Sequence, residues 1–192
     1  MFGPVLGIDP GVSRCGYGVV VQDGGRLESV AFGVIRTLPA DPLPERLAEI
    51  WNELEGIMEE IRPVSVAVER VFFQTNVRTA MSVGQASGLA LTVAARRGLP
   101  VHQYTPNEVK QAIAGYGAAD KAQVQSMVAK LLRLPEVPSP PDAADALALA
   151  VCHLSAGRFH QAAGRASPAG AATGNPALAR AIAQALTKEQ HR

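Results

Sequence analysis

The sequence has few of the features that mark secreted, membrane or generally DNA-binding proteins. Its two cysteines, Cys15 and Cys152, lack CxxC spacing and a nearby histidine array, and the N-terminus shows no signal-peptide pattern, so we expect a reducing, cytoplasmic location. No apolar run reaches the roughly 18 residues of a membrane span. The net charge of +1 gives no general attraction to nucleic acid, so affinity for phosphates must come from local clusters of Lys and Arg.

The hydrophobic content, by contrast, is sufficient for a real core. Hydrophobic residues make up 47% of the 192 residues, which suits a single domain of ordinary size. We assign this domain to residues 1–156. Residues 157–192 are rich in Ala, Gly, Ser and Pro and carry a small basic excess, which predicts a flexible, mildly basic tail, with a short helix at 176–186 as its one candidate element.

The order of the predicted elements indicates an α/β fold. Apolar and alternating stretches at 4–9, 15–22 and 26–37, with Asp23-Gly24 as a hairpin turn, predict an antiparallel start. Helical spacing and short apolar runs then alternate, which predicts a mixed five-stranded sheet flanked by helices. The further strands are predicted at 64–69 and 99–104, and the helices at 43–61, 76–97, 106–114, 120–132 and 141–155.

Four carboxylates stand where these strands end or a helix begins. Asp9 ends the first strand, Glu69 ends the fourth, and Asp142 and Asp145 have i, i+3 spacing at the start of the last helix, which places both on one helical face. Mg²⁺ prefers hard oxygen ligands, and two such ions can activate water and stabilise the charge on a phosphodiester. The pattern therefore indicates a metal-dependent phosphodiester-cleaving site.

Each acid also has an ordinary structural explanation. Asp142 and Asp145 suit a helix N-terminus, Glu69 could pair with Arg70 or cap a turn, and Asp9 before Pro-Gly could serve only as a turn former. The combination of the four acids is what favours a functional site.

Ordered motifs around these acids resemble the RuvC family of Holliday junction resolvases. The resemblance spans residues 5 to about 155 and is specific because the motifs keep their order and spacing. The motifs are Gly7-Ile8-Asp9-Pro10-Gly11, Gly16-Tyr17-Gly18, Glu69-Arg70-Val71-Phe72, Gly84-Gln85-Ala86, Val109-Lys110, Asp120-Lys121-Ala122-Gln123-Val124-Gln125 and Asp142-Ala143-Ala144-Asp145-Ala146-Leu147.

The resemblance implies an RNase H-like fold, a homodimer and paired symmetric nicks in four-way junction DNA. It implies that Asp9, Glu69, Asp142 and Asp145 bind Mg²⁺, two ions per site, with Mn²⁺ as a substitute; some relatives have histidine at the position of Asp142. It also implies an association with the branch-migration proteins RuvA and RuvB.

Several other residues match basic and aromatic positions of the family. Lys110 and Lys121 resemble its basic residues near the site, where a lysine can steady the scissile phosphate. Phe72 matches the aromatic that contacts unpaired bases, and neighbouring Phe73 could pack inward or take that role. Arg70, Asn76 and Arg78 are candidate phosphate contacts, although solvation of a surface explains them almost equally well.

Two other functions are compatible with part of the pattern. A junction-binding module without catalysis would keep the fold, but all four acids are present. An actin-like ATPase also opens with a Gly-Ile-Asp-Gly-like strand and turn, but it needs a second glycine-rich phosphate loop and a second domain, and the sequence shows neither.

Overall fold

The computed structural model describes residues 2–71 and 77–163, and the side chains of residues 3–71 and 80–156. The chain divides into two units, Met1–His160 and Gln161–Arg192, and the sheet belongs to the first. The predicted boundary between residues 156 and 157 stays a prediction, and the candidate helix at 176–186 lies outside the described residues.

Five strands form one mixed sheet at the centre of the first unit. They are β1 (Phe2–Asp9), β2 (Arg14–Asp23), β3 (Arg26–Arg36), β4 (Ser65–Glu69) and β5 (Val101–Tyr104). The order across the sheet is β3-β2-β1-β4-β5, with β1 to β3 antiparallel and β4 parallel to both β1 and β5. The predicted mixed five-stranded sheet with an antiparallel start is confirmed.

Helices cover both faces of this sheet. They are α1 (Leu43–Ile61), α2 (Val77–Arg96), α3 (Pro106–Ala114), α4 (Lys121–Leu131) and α5 (Pro141–Ala163). Leu6 and Ile8 of β1 pack in the core shared with α1 and α2, while Val5 of β1 and Ala67 of β4 pack in the core shared with α3, α4 and α5. Because strand residues alternate between faces, one strand supplies both cores. None of the helices in the described part of the chain has the length and apolar composition of a membrane span.

The helix ends follow local sequence with one exception. Asp120 accepts a hydrogen bond from the Gln123 backbone N–H and caps α4, and the Gln123 side chain accepts one from the Asp120 backbone N–H, which completes a capping box. The last helix was predicted to end at residue 155, but α5 continues to Ala163. Gly157 lies within α5, because one glycine costs a helix only about 1 kcal/mol, which does not terminate it.

Three glycines of the sheet allow the backbone of α5 to lie directly against the strands. A Cβ atom at Gly7 would overlap the carbonyl oxygen of Ala146, and one at Gly16 would overlap that of Asp142. A Cβ atom at Gly18 would lie 2.7 Å from the backbone nitrogen of Leu147. Only residues without a side chain fit at this distance, so these positions fix how α5 sits on β1 and β2.

A half-buried histidine connects α5 to the parallel strands β4 and β5. The His153 ring contacts Ser65 Oγ at 3.0 Å through Nε2 and the Tyr104 hydroxyl at 2.8 Å through Nδ1, and its centroid lies 4.5 Å from that of His102. Burial, with the nearby His102 adding to it, lowers the pKa of His153 to about 4. The neutral ring suits two hydroxyl partners, because one nitrogen donates and the other accepts.

Because Gly7 contacts the backbone of α5, adding one methyl group at this position should lower the stability of the fold markedly. We expect Gly7→Ala to lower the free energy of unfolding by about 1–3 kcal/mol, because backbone atoms of α5 have to move to make room. The measurement is urea unfolding followed by circular dichroism.

Gly56→Ala is the matched control. Gly56 lies inside α1, and a Cβ atom there would meet no atom within 4 Å. The same substitution should therefore stabilise the protein by about 0.5–1 kcal/mol through helix propensity. Equal effects of the two substitutions would contradict the close approach of α5.

The His153 pKa predicts a pH dependence of stability. The folded-state pKa lies below the ordinary value of 6.5, so the unfolded chain binds the proton more readily than the folded protein. The contribution of the neutral ring to the free energy of unfolding is therefore complete above about pH 6.5, and it is lost as the pH falls towards 4. We expect wild type to lose about 1 kcal/mol more than His153→Gln between about pH 7 and pH 5, or about 2–4 °C in Tm. Identical pH slopes in calorimetry would contradict this.

Candidate active site

Asp9 and Glu69 lie side by side because their strands are in register. β1 and β4 are parallel neighbours with Ile8 opposite Val68, so the next residue of each strand is one of the two acids. Carboxyl ends of adjacent parallel strands open at the same edge of a sheet. The sheet therefore brings together two acids that are distant in sequence.

The first turn of α5 adds the other two acids. Asp9 is paired across the sheet with Gly16, and Gly16 lies directly beneath the backbone of Asp142. One helical turn further on, Asp145 is close enough to Asp9 and Glu69 to raise the pKa of both. The four predicted acids thus meet at one end of the sheet.

The electrostatics of this cluster show an excess of negative charge. Burial raises the pKa of Asp9 to about 8, and the charges of Glu69, Asp145 and Asp142 add to the increase while Lys121 opposes it. Burial also raises the pKa of Glu69, and the charge of Asp145 adds to it, while a hydrogen bond with Asp9 works in the opposite direction. Carboxylates this close cannot all stay ionised without a compensating cation.

Two basic side chains compensate part of that charge. Lys121 Nζ lies 2.6 Å from Asp145 Oδ2, and Gln125 Nε2 lies 3.4 Å from Asp145 Oδ1. Burial alone would lower the pKa of Lys121, but the hydrogen bond to Asp145 and the surrounding acids raise it overall. On the other side, Arg14 Nε lies 3.4 Å from Asp142 Oδ2. Each acid of α5 therefore has its own cationic partner.

The second predicted lysine lies beside the first. Lys110 of α3 lines a cavity of about 280 Å³ together with Lys121, Glu69 and Asp145, while Val109, Val124, Ala148, Leu149 and Pro106 supply its apolar wall. Both predicted lysines thus line one cavity with two acids of the cluster, on the side of β4.

The predicted DNA-binding residues are described only in part. The Arg70 backbone N–H donates to the Tyr104 carbonyl at 2.8 Å, and its exposed guanidinium lies 3.5 Å from the Gln103 carbonyl. Arg78 belongs to the first turn of α2, but its side chain lies outside the described residues, as do Phe72, Phe73 and Asn76. The roles of all five residues stay predictions.

The chemistry of the acids fits a divalent cation such as Mg²⁺. The donors are hard carboxylate oxygens, their summed charge is only partly compensated by Lys121 and Arg14, and the buried Asp142 Oδ2 accepts no hydrogen bond. Within the part of the chain that the structure describes, no three His, Cys, Asp or Glu side chains already close around one point. Asp145 and Asp142 instead contact Lys121 and Arg14.

Two residues of the site were not found from the sequence. Arg14 and Gln125 contact the α5 acids, yet neither had been assigned a contact with them, because their partners lie in a different segment of the chain. The position of Arg14 just after the Asp9 turn was the one local signal that could have indicated it.

Comparison with known proteins identifies the family. The model of the family described as crossover junction endodeoxyribonuclease RuvC matches residues 5–153. The protein of that name from Desulfitobacterium hafniense (strain DSM 10664 / DCB-2) is 53% identical over 149 residues, which cover 78% of this chain and 90% of the relative. Its namesake from Salinispora arenicola is 57% identical over 151 residues, which cover 78% and 86%.

Solved structures agree with the family and with the predicted RNase H-like fold. RuvC of T. thermophilus, in complex with Holliday junction substrate, superposes with a TM-score of 0.78 and 40% identity, covering 82% of this chain and 96% of that one. The yeast mitochondrial Holliday junction resolvase shares the fold, with a TM-score of 0.56 at 15% identity, covering 79% and 78%. The chain therefore belongs to the RuvC family of crossover junction endodeoxyribonucleases.

Proposed function

We propose that this protein resolves four-way DNA junctions by hydrolysing phosphodiester bonds, with paired symmetric nicks that leave 5′-phosphate and 3′-hydroxyl ends. The observation that carries the proposal is the meeting of Asp9, Glu69, Asp142 and Asp145 at one end of the sheet in a chain of this family. Lys110 and Lys121 stand beside them, where cations suit a phosphate.

Asp9, Glu69, Asp142 and Asp145 would hold Mg²⁺, two ions per site, with Mn²⁺ as a substitute. When bound, such ions supply a water that is nucleophilic near neutral pH and positive charge for the phosphate oxygens. Two observations support this assignment: Asp142 Oδ2 accepts no hydrogen bond, and the pKa of Asp9 is raised. A bound cation would give that oxygen a partner and would favour the ionised form of Asp9.

The two lysines would orient and neutralise the scissile phosphate. Lys121 is charged at neutral pH, since its pKa is raised by the acids around it, and its side chain is 65% exposed, so its ammonium group can reach a phosphate. Lys110 lines the same cavity from α3. Together they offset the negative charge that builds up on the leaving oxygen.

Paired cutting requires two sites, so the proposal includes a homodimer. One face of α2 supports this: Met81 is 59% exposed, and Cβ atoms at Gly84 and Gly88 would meet no atom within 4 Å. A two-fold dimer would suit a two-fold symmetric junction. We further propose that RuvA and RuvB associate with the complex and that the protein acts in the cytoplasm.

The DNA contacts proposed outside the metal site are Arg70, Asn76, Arg78, Phe72 and Phe73. The exposed guanidinium of Arg70, close to the end of β4, supports its contact with the backbone of DNA. An aromatic ring after Glu69 would stack on an unpaired base at the centre of the junction.

The proposed metal site predicts a strong effect of a substitution at Asp9. We expect Asp9→Asn to reduce Mg²⁺-dependent nicking of a synthetic four-way junction by at least about 10³-fold, because a neutral amide holds a divalent cation poorly. Junction binding should be kept, because the fold and the basic residues are unchanged. Gel assays of nicking and of band shift measure the two effects separately.

Asp23→Asn is the matched control, since Asp23 is an exposed acid at the β2–β3 hairpin, at the far end of β2 from the site. It should nick like wild type. Equal nicking by Asp9→Asn and wild type would reject the metal site. Binding by wild type without any Mg²⁺-dependent cutting would instead favour a junction-binding module, and equal cutting of linear duplex would point to a general nuclease.

The proposed stacking ring predicts a loss of cutting without a comparable loss of binding. We expect Phe72→Ala to bind junctions within a few-fold of wild type but to cut them at least about tenfold more slowly, because base stacking is worth about 1–3 kcal/mol. Phe73→Ala distinguishes the neighbouring ring, and a larger loss of cutting there would transfer the role to Phe73. Unchanged cutting by both variants would reject an aromatic contact at this position.

A further inference from the structure

Two arginines face each other at the end of the sheet next to the acids. Arg14 begins β2, Arg36 ends β3, and the two are direct cross-strand partners. Directly opposite residues of an antiparallel pair point to the same face. For Arg14 this is the face that α5 covers, since Gly16, two residues along β2, lies beneath Asp142.

The two arginines have few anionic partners among the described residues. Arg14 Nε contacts Asp142 Oδ2 at 3.4 Å, and no other hydrogen bond or ion pair holds the guanidinium among the described residues. The exposed Arg36 side chain has no such partner among those residues at all. Of the two positive charges, only that of Arg14 contacts a carboxylate, and this carboxylate already belongs to the acidic cluster.

Like charges directly opposite on neighbouring strands destabilise a sheet. No ion pair among the described residues compensates Arg36, and Arg14 is 57% exposed despite its contact with Asp142. A bound anion would remove the repulsion. Guanidinium groups present five N–H donors each and match phosphate oxygens in a two-pronged geometry, so a phosphate is the anion that suits them.

The pair also stands on a different side of the acids from the predicted lysines. Lys110 and Lys121 line the cavity beside Glu69, at the end of β4. In the sheet, β4 lies on one side of β1, which carries Asp9, and β2 and β3 lie on its other side. The acids are therefore placed between two basic groups, and a nucleic-acid strand crossing them would meet both.

We propose that Arg14 and Arg36 form a second phosphate-binding pair, which holds the DNA backbone on the β2–β3 side of the acids. Arg14 bridges Asp142 and one phosphate, and Arg36 binds the same or the next phosphate along the strand. This proposal rests on the proposed function, since it assigns the path of the DNA strand through that same site.

The test compares Arg36→Gln and Arg14→Gln with Arg26→Gln. Arg26 is the matched control because it is an exposed arginine at the opposite end of β3. Binding of a fluorescent four-way junction is measured by anisotropy in EDTA at several salt concentrations. For each of the first two variants we expect several-fold weaker binding and a slope of log K against log salt that is smaller by about one, with no change for Arg26→Gln.

Two further readouts separate phosphate binding from a structural role. Steady-state nicking of the junction in Mg²⁺ should show a raised KM with little change in kcat for Arg36→Gln, and Arg36→Lys should restore most of the affinity. The Tm of Arg36→Gln should equal or exceed that of wild type, since the substitution removes a like-charge repulsion. A loss of binding that merely follows a fall in Tm would overturn the proposal.

The outcomes also distinguish this inference from the proposed function. If wild type binds and nicks the junction while Arg14→Gln and Arg36→Gln match Arg26→Gln in affinity and salt slope, the arginine pair is rejected and the resolvase function stands. If wild type neither binds nor nicks the junction, both proposals fail. Arg14→Gln removes the contact with Asp142, so a loss of binding in that variant could come from a disturbed acid. Arg36→Gln is free of this ambiguity, because Arg36 makes no ion pair with the described residues.

Discussion

The close approach of α5 to three glycines of the sheet is the constraint on which the site depends. Gly7, Gly16 and Gly18 allow backbone atoms of the helix to touch the strands, and this contact sets the height and direction of the helix above β1 and β2. Asp142 and Asp145 come from the first turns of that helix, so their distance from Asp9 follows from the same contact. Packing of backbone against backbone is rigid, and a site that must hold cations at fixed positions benefits from such a support.

Charge is the second organising element, and it works against folding. Burial raises the pKa of Asp9 and Glu69, the neighbouring acids add to the increase, and one carboxylate oxygen of Asp142 accepts no hydrogen bond. A protein retains such an unfavourable cluster where function requires it, because burying uncompensated charge costs stability. Lys121 and Arg14 relieve part of that cost without closing the cluster.

The basic residues then define a path for an anionic strand. Lys110 and Lys121 lie beside Glu69, whereas Arg14 and Arg36 lie beyond Asp9 on the strands β2 and β3. Net charge gives no indication of this arrangement, since the sequence as a whole carries only +1. Local placement decides affinity for phosphates, because exposed charges farther apart than about 8–10 Å are largely screened at physiological salt.

The sequence by itself determined the elements and the acids. Periodicity and turn residues located the five strands and five helices, and the ends of β1 and β4 predicted that Asp9 and Glu69 would meet, because the register of adjacent parallel strands leaves little freedom. The end of α5 was predicted too early, since a single glycine weakens a helix without stopping it. Only the tertiary structure decided that Arg14 meets Asp142, that Gln125 and Lys121 meet Asp145 and that Arg14 faces Arg36. Such contacts join side chains from separate segments, and they depend on how tightly α5 lies on the sheet, which no local pattern encodes.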